Sequence, residues 1–265
     1  MTDLPPDLAR ELAIARQAAA EAGATALGMQ AGIGSEAKAD GSPVTPGDLA
    51  ADAILKHHLG LHFPEDGILS EETDPEAGEP RRWWIIDPID GTREYAAGGR
   101  EWCVQVALAV NGVAVLGVLD LPVFGVQLWG IPGLGAWIAD ANGIRPLEPA
   151  RRDLQVLIGS GSRRNAESLA HLHARIPEFG LLHGHSVGVK VHRMLAGEAD
   201  LYLHFRPIHA WDVAAPAAVL EAAGGIVVDP RGQPLRYPHR RPTMDGLAFT
   251  LRPDLPEILG RVSTP

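Results

Sequence analysis

The chain has one cysteine, Cys103, in 265 residues. That excludes an internal disulfide and any cysteine-built zinc cage, and makes a reduced, cytoplasmic setting the default expectation. No apolar run approaches the length of a bilayer span. The start, Met1-Thr2-Asp3-Leu4-Pro5, lacks the basic and apolar pattern of a leader peptide, so no membrane partner is expected. Basic residues are comparatively scarce: 23 Lys and Arg stand against 33 Asp and Glu, a formal net charge of −10. A protein of that sign is a poor partner for nucleic-acid polymers. There is no internal repeat and no low-complexity segment. Hydrophobic content of 46% and charged content of 21% fit a globular protein long enough to bury a sizeable core.

What the chain does have is concentrated in one stretch. Trp83-Trp84-Ile85-Ile86 reads as a strand, runs into Asp87-Pro88-Ile89-Asp90, and meets Gly91-Thr92. Two carboxylates at a strand end supply oxygen ligands for hard divalent cations. A Gly turn opening a helix supplies backbone N–H groups for an anion. Bare carboxylates about 4 Å apart would repel by roughly 4 kcal/mol at an effective dielectric of about 20, and cations convert that repulsion into binding. Phosphoryl-transfer chemistry requires cations and phosphate side by side, so the stretch predicts a metal-dependent phosphatase. Bound cations also answer how an acidic protein holds an anionic ester, because they reverse the local sign of charge.

Hydrophobic spacing predicts a long first helix over residues 7–29, and Thr45-Pro46-Gly47-Asp48 reads as the start of a second. Strands are expected at 67–70, 83–87, 102–110, 113–120 and 125–129, with Asn111-Gly112 as a hairpin turn. After a candidate boundary at 148–153, strands and helices alternate. The pattern predicts two lobes, 1–150 (α+β) and 151–265 (α/β), with a site in the cleft between them.

Five acids are candidate metal ligands or catalytic groups: Asp48, Glu71, Asp87, Asp90 and Asp212. From local sequence Asp48 reads equally as the third residue of a capping box, Asp212 equally as a helix N-cap, and Glu71-Glu72 as a solvated pair. Gly159-Ser160-Gly161-Ser162-Arg163 has the setting of a phosphate-binding turn but fits neither the dinucleotide fingerprint nor a P-loop. It reads as an oxyanion-contacting loop or as a plain strand–helix turn. The histidine pairs (His57-His58, His171-x-His173, His183-x-His185) lack the spacing of a zinc helix. The Asp-x-x-Asp spacing differs from the Asp-x-Asp of haloacid dehalogenase-type phosphatases, whose motif sits near the N-terminus.

Asp87-Pro88-Ile89-Asp90-Gly91-Thr92, with Ser70-Glu71-Glu72 before it and Trp211-Asp212-Val213-Ala214-Ala215-Pro216 after it, resembles the inositol monophosphatase superfamily. Lys38-x-Asp40-x-Ser42-Pro43-Val44-Thr45-x-x-Asp48, Thr92-Arg93-Glu94-Tyr95 and Tyr202-Leu203-His204 are most similar to its CysQ-type 3′(2′),5′-bisphosphate nucleotidases. The resemblance implies a two-lobed, layered α-β-α-β-α sandwich and a Mg²⁺-dependent, Li⁺-inhibited phosphatase using two or three ions. Glu71, Asp87 and the Ile89 carbonyl would hold one ion; Asp87, Asp90 and Asp212 would hold another. Thr92, bonded to Asp48, would orient the attacking water, with the Gly91 and Thr92 N–H groups on the phosphate. Phe205 stands where polyol-specific relatives carry a Glu. Phe205 and Arg206, together with Lys190, Ser160, Ser162, Arg163 and Ser186, would bind a doubly phosphorylated nucleotide. The implied partner is a small phosphate ester, most simply adenosine 3′,5′-bisphosphate, with inositol or sugar phosphates as the alternative. A homodimer is compatible with the resemblance. A catalytically silent binding protein on the same fold is the reading from another class.

Overall fold

The computed structural model describes residues 8–38, 41–73, 80–149, 154–160, 163–237 and 242–262. Seven helices occur among them: α1 (Ala9–Met29), α2 (Pro46–His62), α3 (Thr92–Ala96), α4 (Arg163–His173), α5 (Val187–Leu195), α6 (Ala210–Ala222) and α7 (Leu255–Val262). A seven-stranded sheet runs in sequence order through Gly67–Ser70, Arg82–Asp90, Cys103–Val110, Val113–Leu121, Val126–Ile131, Gly135–Asp140 and Gly143–Pro146. Its first pair is parallel and the rest antiparallel. A five-stranded sheet has the order Gly180–Gly184, Val156–Ser160, Leu201–His204, Leu247–Thr250, Ile226–Val228.

Alternation of side chains along a strand builds the layers. In the first sheet, Trp84, Ile86, Val104, Val106 and Leu108 face a cluster with Ala15, Ala19, Ala22 and Ala26 of α1 and Leu55 and Leu59 of α2. Trp83, Ile85, Cys103, Ala107 and Ala109 face the other way, onto Val189 and Met194 of α5 and Val213, Ala217 and Leu220 of α6. In the second sheet Ile158, Tyr202 and Phe249 join that same middle cluster, while Leu157, Leu201, Leu203 and Ala248 turn outward to α4 and α7. The result is the five-layer α-β-α-β-α sandwich that the resemblance implies. α6 lies close on the first sheet because Gly117 leaves it room: a Cβ there would stand 2.5 Å from the Ala215 carbonyl oxygen.

Most expected elements up to residue 131 hold to within a residue or two, but the strand expected at 83–87 continues to Asp90, and the strands Glu36–Ala37, Pro43–Val44, Gly135–Asp140 and Gly143–Pro146 were not anticipated. Helix α4 begins at Arg163 rather than near 166. Helix α6 begins at Ala210, so Asp212 is not its N-cap. His209 occupies that position, and its backbone N–H donates to Asp212 Oδ2 at 3.1 Å, which places the acid inside the first turn. Gly161, Ser162 and Asp40 lie outside the described residues, as does part of the expected boundary segment. Among the described residues no helix is long and apolar enough to cross a membrane.

Candidate active site

The paired acids owe their geometry to one extra residue. Asp87 pairs with Gln105 and Asp90 with Cys103, so three steps on one strand match two on its neighbour, a β-bulge. In a regular strand, residues three apart point to opposite faces. Here Trp83 and Ile85 share the α5/α6 face, Ile89 is thrown to the α1/α2 side, and Asp87 and Asp90 both return to the first face. Pro88, which has no N–H to give a ladder, sits inside the bulge.

Asp212 arrives from the first turn of α6, where helix geometry and the His209 N–H fix its side chain. Ligating oxygens of Asp87, Asp90 and Asp212 then lie within 4.8 Å of one another. Both Asp87 oxygens are buried with no hydrogen-bond partner among the described residues. Burial above all, and then the charges of Glu71, Asp90 and Asp212, push the Asp87 carboxyl well above the usual carboxylate range. Burial followed by Asp90 and Glu71 does the same to Asp212. Orphaned, fully buried carboxylate oxygens facing two further acids suit hard divalent cations, and the all-oxygen donor set fits Mg²⁺.

Glu71 follows the Gly67–Ser70 strand and stands close enough for its charge to act on Asp87 and Asp212. Burial raises its carboxyl to about 7 against the pull of Lys38. The Lys38 ammonium bridges Glu71 at 3.0 Å and Glu72 at 2.8 Å, so the two glutamates are a paired, half-buried group and not a solvated one. Asp48 forms the expected capping box and also meets Thr92. Its Oδ2 accepts from the Thr45 N–H (2.8 Å) and hydroxyl (2.6 Å) as a capping box at the start of α2, and its Oδ1 lies 3.0 Å from the Thr92 hydroxyl. That hydroxyl also lies 3.0 Å from the Ile89 carbonyl oxygen. Gly91 caps α3 at a φ of +102°, and a Cβ on it would stand 2.6 Å from the Glu101 carbonyl oxygen, so only glycine fits the turn.

A cavity of about 460 Å³ elsewhere holds no catalytic grouping, but one of about 430 Å³ opens directly on the acids. Asp90, Asp212, Lys190, Tyr202, Arg206 and three histidines (His185, His204, His209) line it. Lys190 is only 1% exposed; its ammonium donates to the carbonyls of His185 (3.2 Å) and Ser186 (3.3 Å) and lies 5.1 Å from the Tyr202 ring centre. Burial lowers it to about 8, with Asp90 and Glu101 pulling upward. His204 is lowered to about 4, chiefly by burial and then by Lys190.

A sequence profile of the inositol monophosphatase family matches residues 7–255. The chain belongs to the inositol monophosphatase family. It is 38% identical over 212 residues to the 3′(2′),5′-bisphosphate nucleotidase CysQ of Shigella flexneri, covering 77% of this chain and 82% of that one. Among solved structures it superposes on an inositol monophosphatase from Anabaena with a TM-score of 0.79 at 27% identity, covering 97% of each chain. It superposes on CysQ from Bacteroides thetaiotaomicron with a TM-score of 0.77 at 26% identity, covering 91% of this chain and 97% of that one. As a member of the inositol monophosphatase family the chain is a phosphoric monoester hydrolase of a generally Mg²⁺-dependent family, and the cluster of Asp87, Asp90 and Asp212 could hold a metal ion.

Of the expected substrate contacts, Lys190 and Arg206 line the cavity. Phe205, one residue from Arg206, turns instead to the apolar cluster of α4 and α7. Ser186 is wholly buried, with its hydroxyl on Asp90. Ser160 ends its strand and Arg163 opens α4, while Ser162 lies outside the described residues. His185 and His209 were not legible as cavity residues, because they come from separate elements brought together only by the fold. Only the Tyr202-Leu203-His204 triplet carried a signal.

Proposed function

We propose that the chain is a 3′(2′),5′-bisphosphate nucleotidase that converts adenosine 3′,5′-bisphosphate to AMP and phosphate with two or three Mg²⁺ ions. The observation that carries this reading is the buried ammonium of Lys190 in the cavity beside the acids, where Arg206 also stands. A desolvated cation next to the reaction centre suits a second anionic group on the substrate, which a nucleotide bisphosphate has and an inositol monophosphate lacks. The relatives named 3′(2′),5′-bisphosphate nucleotidase support the same choice.

Asp87, Asp90, Asp212, Glu71 and the Ile89 carbonyl would hold the ions. Bound there, divalent ions neutralise the charge that develops on the transferring phosphoryl group and make water more acidic. The protein's own part is orientation. Thr92, with its one proton committed to Asp48 or the Ile89 carbonyl, keeps a lone pair to accept from the attacking water. Asp48, held twice by Thr45, keeps that hydroxyl in place. Lys190 and Arg206 take the phosphate that is not cleaved.

Comparison of kcat/KM on adenosine 3′,5′-bisphosphate and on inositol 1-phosphate, with Li⁺ inhibition as a companion measurement, tests the proposal. A strong preference for the inositol ester overturns it. Lys190→Met should raise KM for the bisphosphate much more than for 3′-AMP, and equal effects on both would remove Lys190 from second-phosphate binding.

A further inference from the structure

Asp90 is held very differently from Asp87. Its Oδ2 accepts hydrogen bonds from Gln105 Nε2 at 2.5 Å, Ser186 Oγ at 2.6 Å and the Gly188 N–H at 3.0 Å. Gln105 sits on the strand next to Asp90's own, whereas Ser186 and Gly188 belong to the start of α5. The oxygen Oδ1 takes part in none of these three bonds, and Asp90 lines the cavity.

The Ser186 hydroxyl has no capacity left for a substrate. Its one proton is directed to Asp90; its lone pairs accept the Val189 N–H at 3.1 Å, which caps α5, and face the Cys103 sulfur at 3.4 Å. The residue is 0% exposed. Gly188 completes the arrangement by having no side chain, since a Cβ there would overlap the Cys103 sulfur and keep the helix turn from reaching Asp90. The amide orientation of Gln105 follows from the same site: turned over, its oxygen would meet the carboxylate.

We propose that Ser186 and Gln105 are positioning residues for the metal site, gripping one oxygen of Asp90 so that the other is presented to the ion. The inference rests on the acidic cluster being the ion site, and not on the identity of the ester. Three close donors, with the Cys103 Sγ farther out at 3.9 Å on the same oxygen, fix the carboxylate rotamer and offset part of the cost of burying its charge before any ion binds. They also tie α5, which carries Lys190, to a metal ligand of the other sheet, so that ion binding and the cationic wall share one rigid support. Outer partners of this kind commonly set metal affinity within a range of about 10–100-fold.

The test uses Ser186→Ala and Gln105→Met in the full chain, with Mg²⁺ binding measured by calorimetry without substrate and kcat and KM measured at saturating Mg²⁺. Both variants should bind Mg²⁺ about tenfold or more weakly, with KM for adenosine 3′,5′-bisphosphate at saturating metal unchanged. Ser186→Ala also removes a helix cap, so its melting temperature should fall; Gln105→Met touches no cap and isolates the grip on Asp90. Unchanged Mg²⁺ affinity in Gln105→Met overturns the proposal. So does a Ser186→Ala variant that binds Mg²⁺ normally and has a raised KM, which would make Ser186 a substrate contact. A wild-type chain that binds Mg²⁺ and leaves the bisphosphate intact refutes the proposed substrate and leaves this inference standing.

Discussion

Asp87 is buried, unbonded among the described residues and surrounded by acids, so its charge is a burden to the folded chain until a cation arrives. Its carboxyl titrates above the ordinary range. Stability therefore falls as pH rises through the interval between the unfolded and folded values, because the folded state binds more protons there. Asp87→Asn imitates the uncharged form. At pH 8 in EDTA this variant should melt several degrees above the wild type. Added Mg²⁺, which should raise the wild-type melting temperature, should do little for it, and turnover should be abolished. Differential scanning fluorimetry with and without metal checks all but the last. At this scale the sequence was most legible where chemistry left few options. Acids after four large apolar residues needed a counter-charge, and Asp48 and Thr92 stood in recognisable turns. Ser186 was legible only as a polar residue near a phosphatase site. That its proton goes to Asp90 depends on a helix and a strand 96 positions apart in the chain meeting face to face.

At the scale of elements, local rules located most of the parts. The capping box placed α2, and apolar, β-rich runs placed the strands of the large sheet from Gly67 to Ile131. The Leu247–Thr250 strand escaped because its role is tertiary: it inserts antiparallel between Leu201–His204 and Ile226–Val228, closing the second sheet in an order no local pattern announces. The packing of α6 on Gly117 gives a prediction. Gly117→Ala should push the helix outward, lowering the melting temperature and, since Asp212 rides on that helix, weakening Mg²⁺ binding measured by calorimetry. A second prediction concerns the α1 contact. Asp120 lies under Gly23 of α1 with Gln127 as its hydrogen-bond donor at 3.1 Å, and burial raises its carboxyl to about 7. A raised folded value means stability is full at low pH and is lost as pH climbs from about 4 to about 7. Asp120→Asn, which keeps an acceptor for Gln127, should match the wild type near pH 4 and exceed it at pH 8. A shift of about three units bounds the gain at about 4 kcal/mol, and urea melts at the two pH values measure it.

For the whole molecule, the largest apolar cluster draws on both sheets: Leu69, Ala107 and Leu119 share it with Ile158, Tyr202 and Phe249, with α5 and α6 between them. The middle layer therefore belongs to neither half. Unfolding should follow one cooperative transition, with circular dichroism and tryptophan fluorescence coincident, and a fragment of residues 1–149 should fail to fold because one face of its sheet would lie bare. Two separate transitions would contradict the shared core. The acidic surplus across the molecule remains compatible with an anionic substrate because the cavity wall carries Lys190 and Arg206 and the acids opposite can be covered by cations. The bulge between Asp87 and Asp90 carries a lesson about tolerance. What Pro88 and Ile89 contribute to the pairing of the acids is a count of residues, so many side-chain replacements there would leave both acids on one face. Removing a single codon there would leave the acids two apart on a regular pleat, still on one face, but without the bulge in which the Ile89 carbonyl meets the Thr92 hydroxyl.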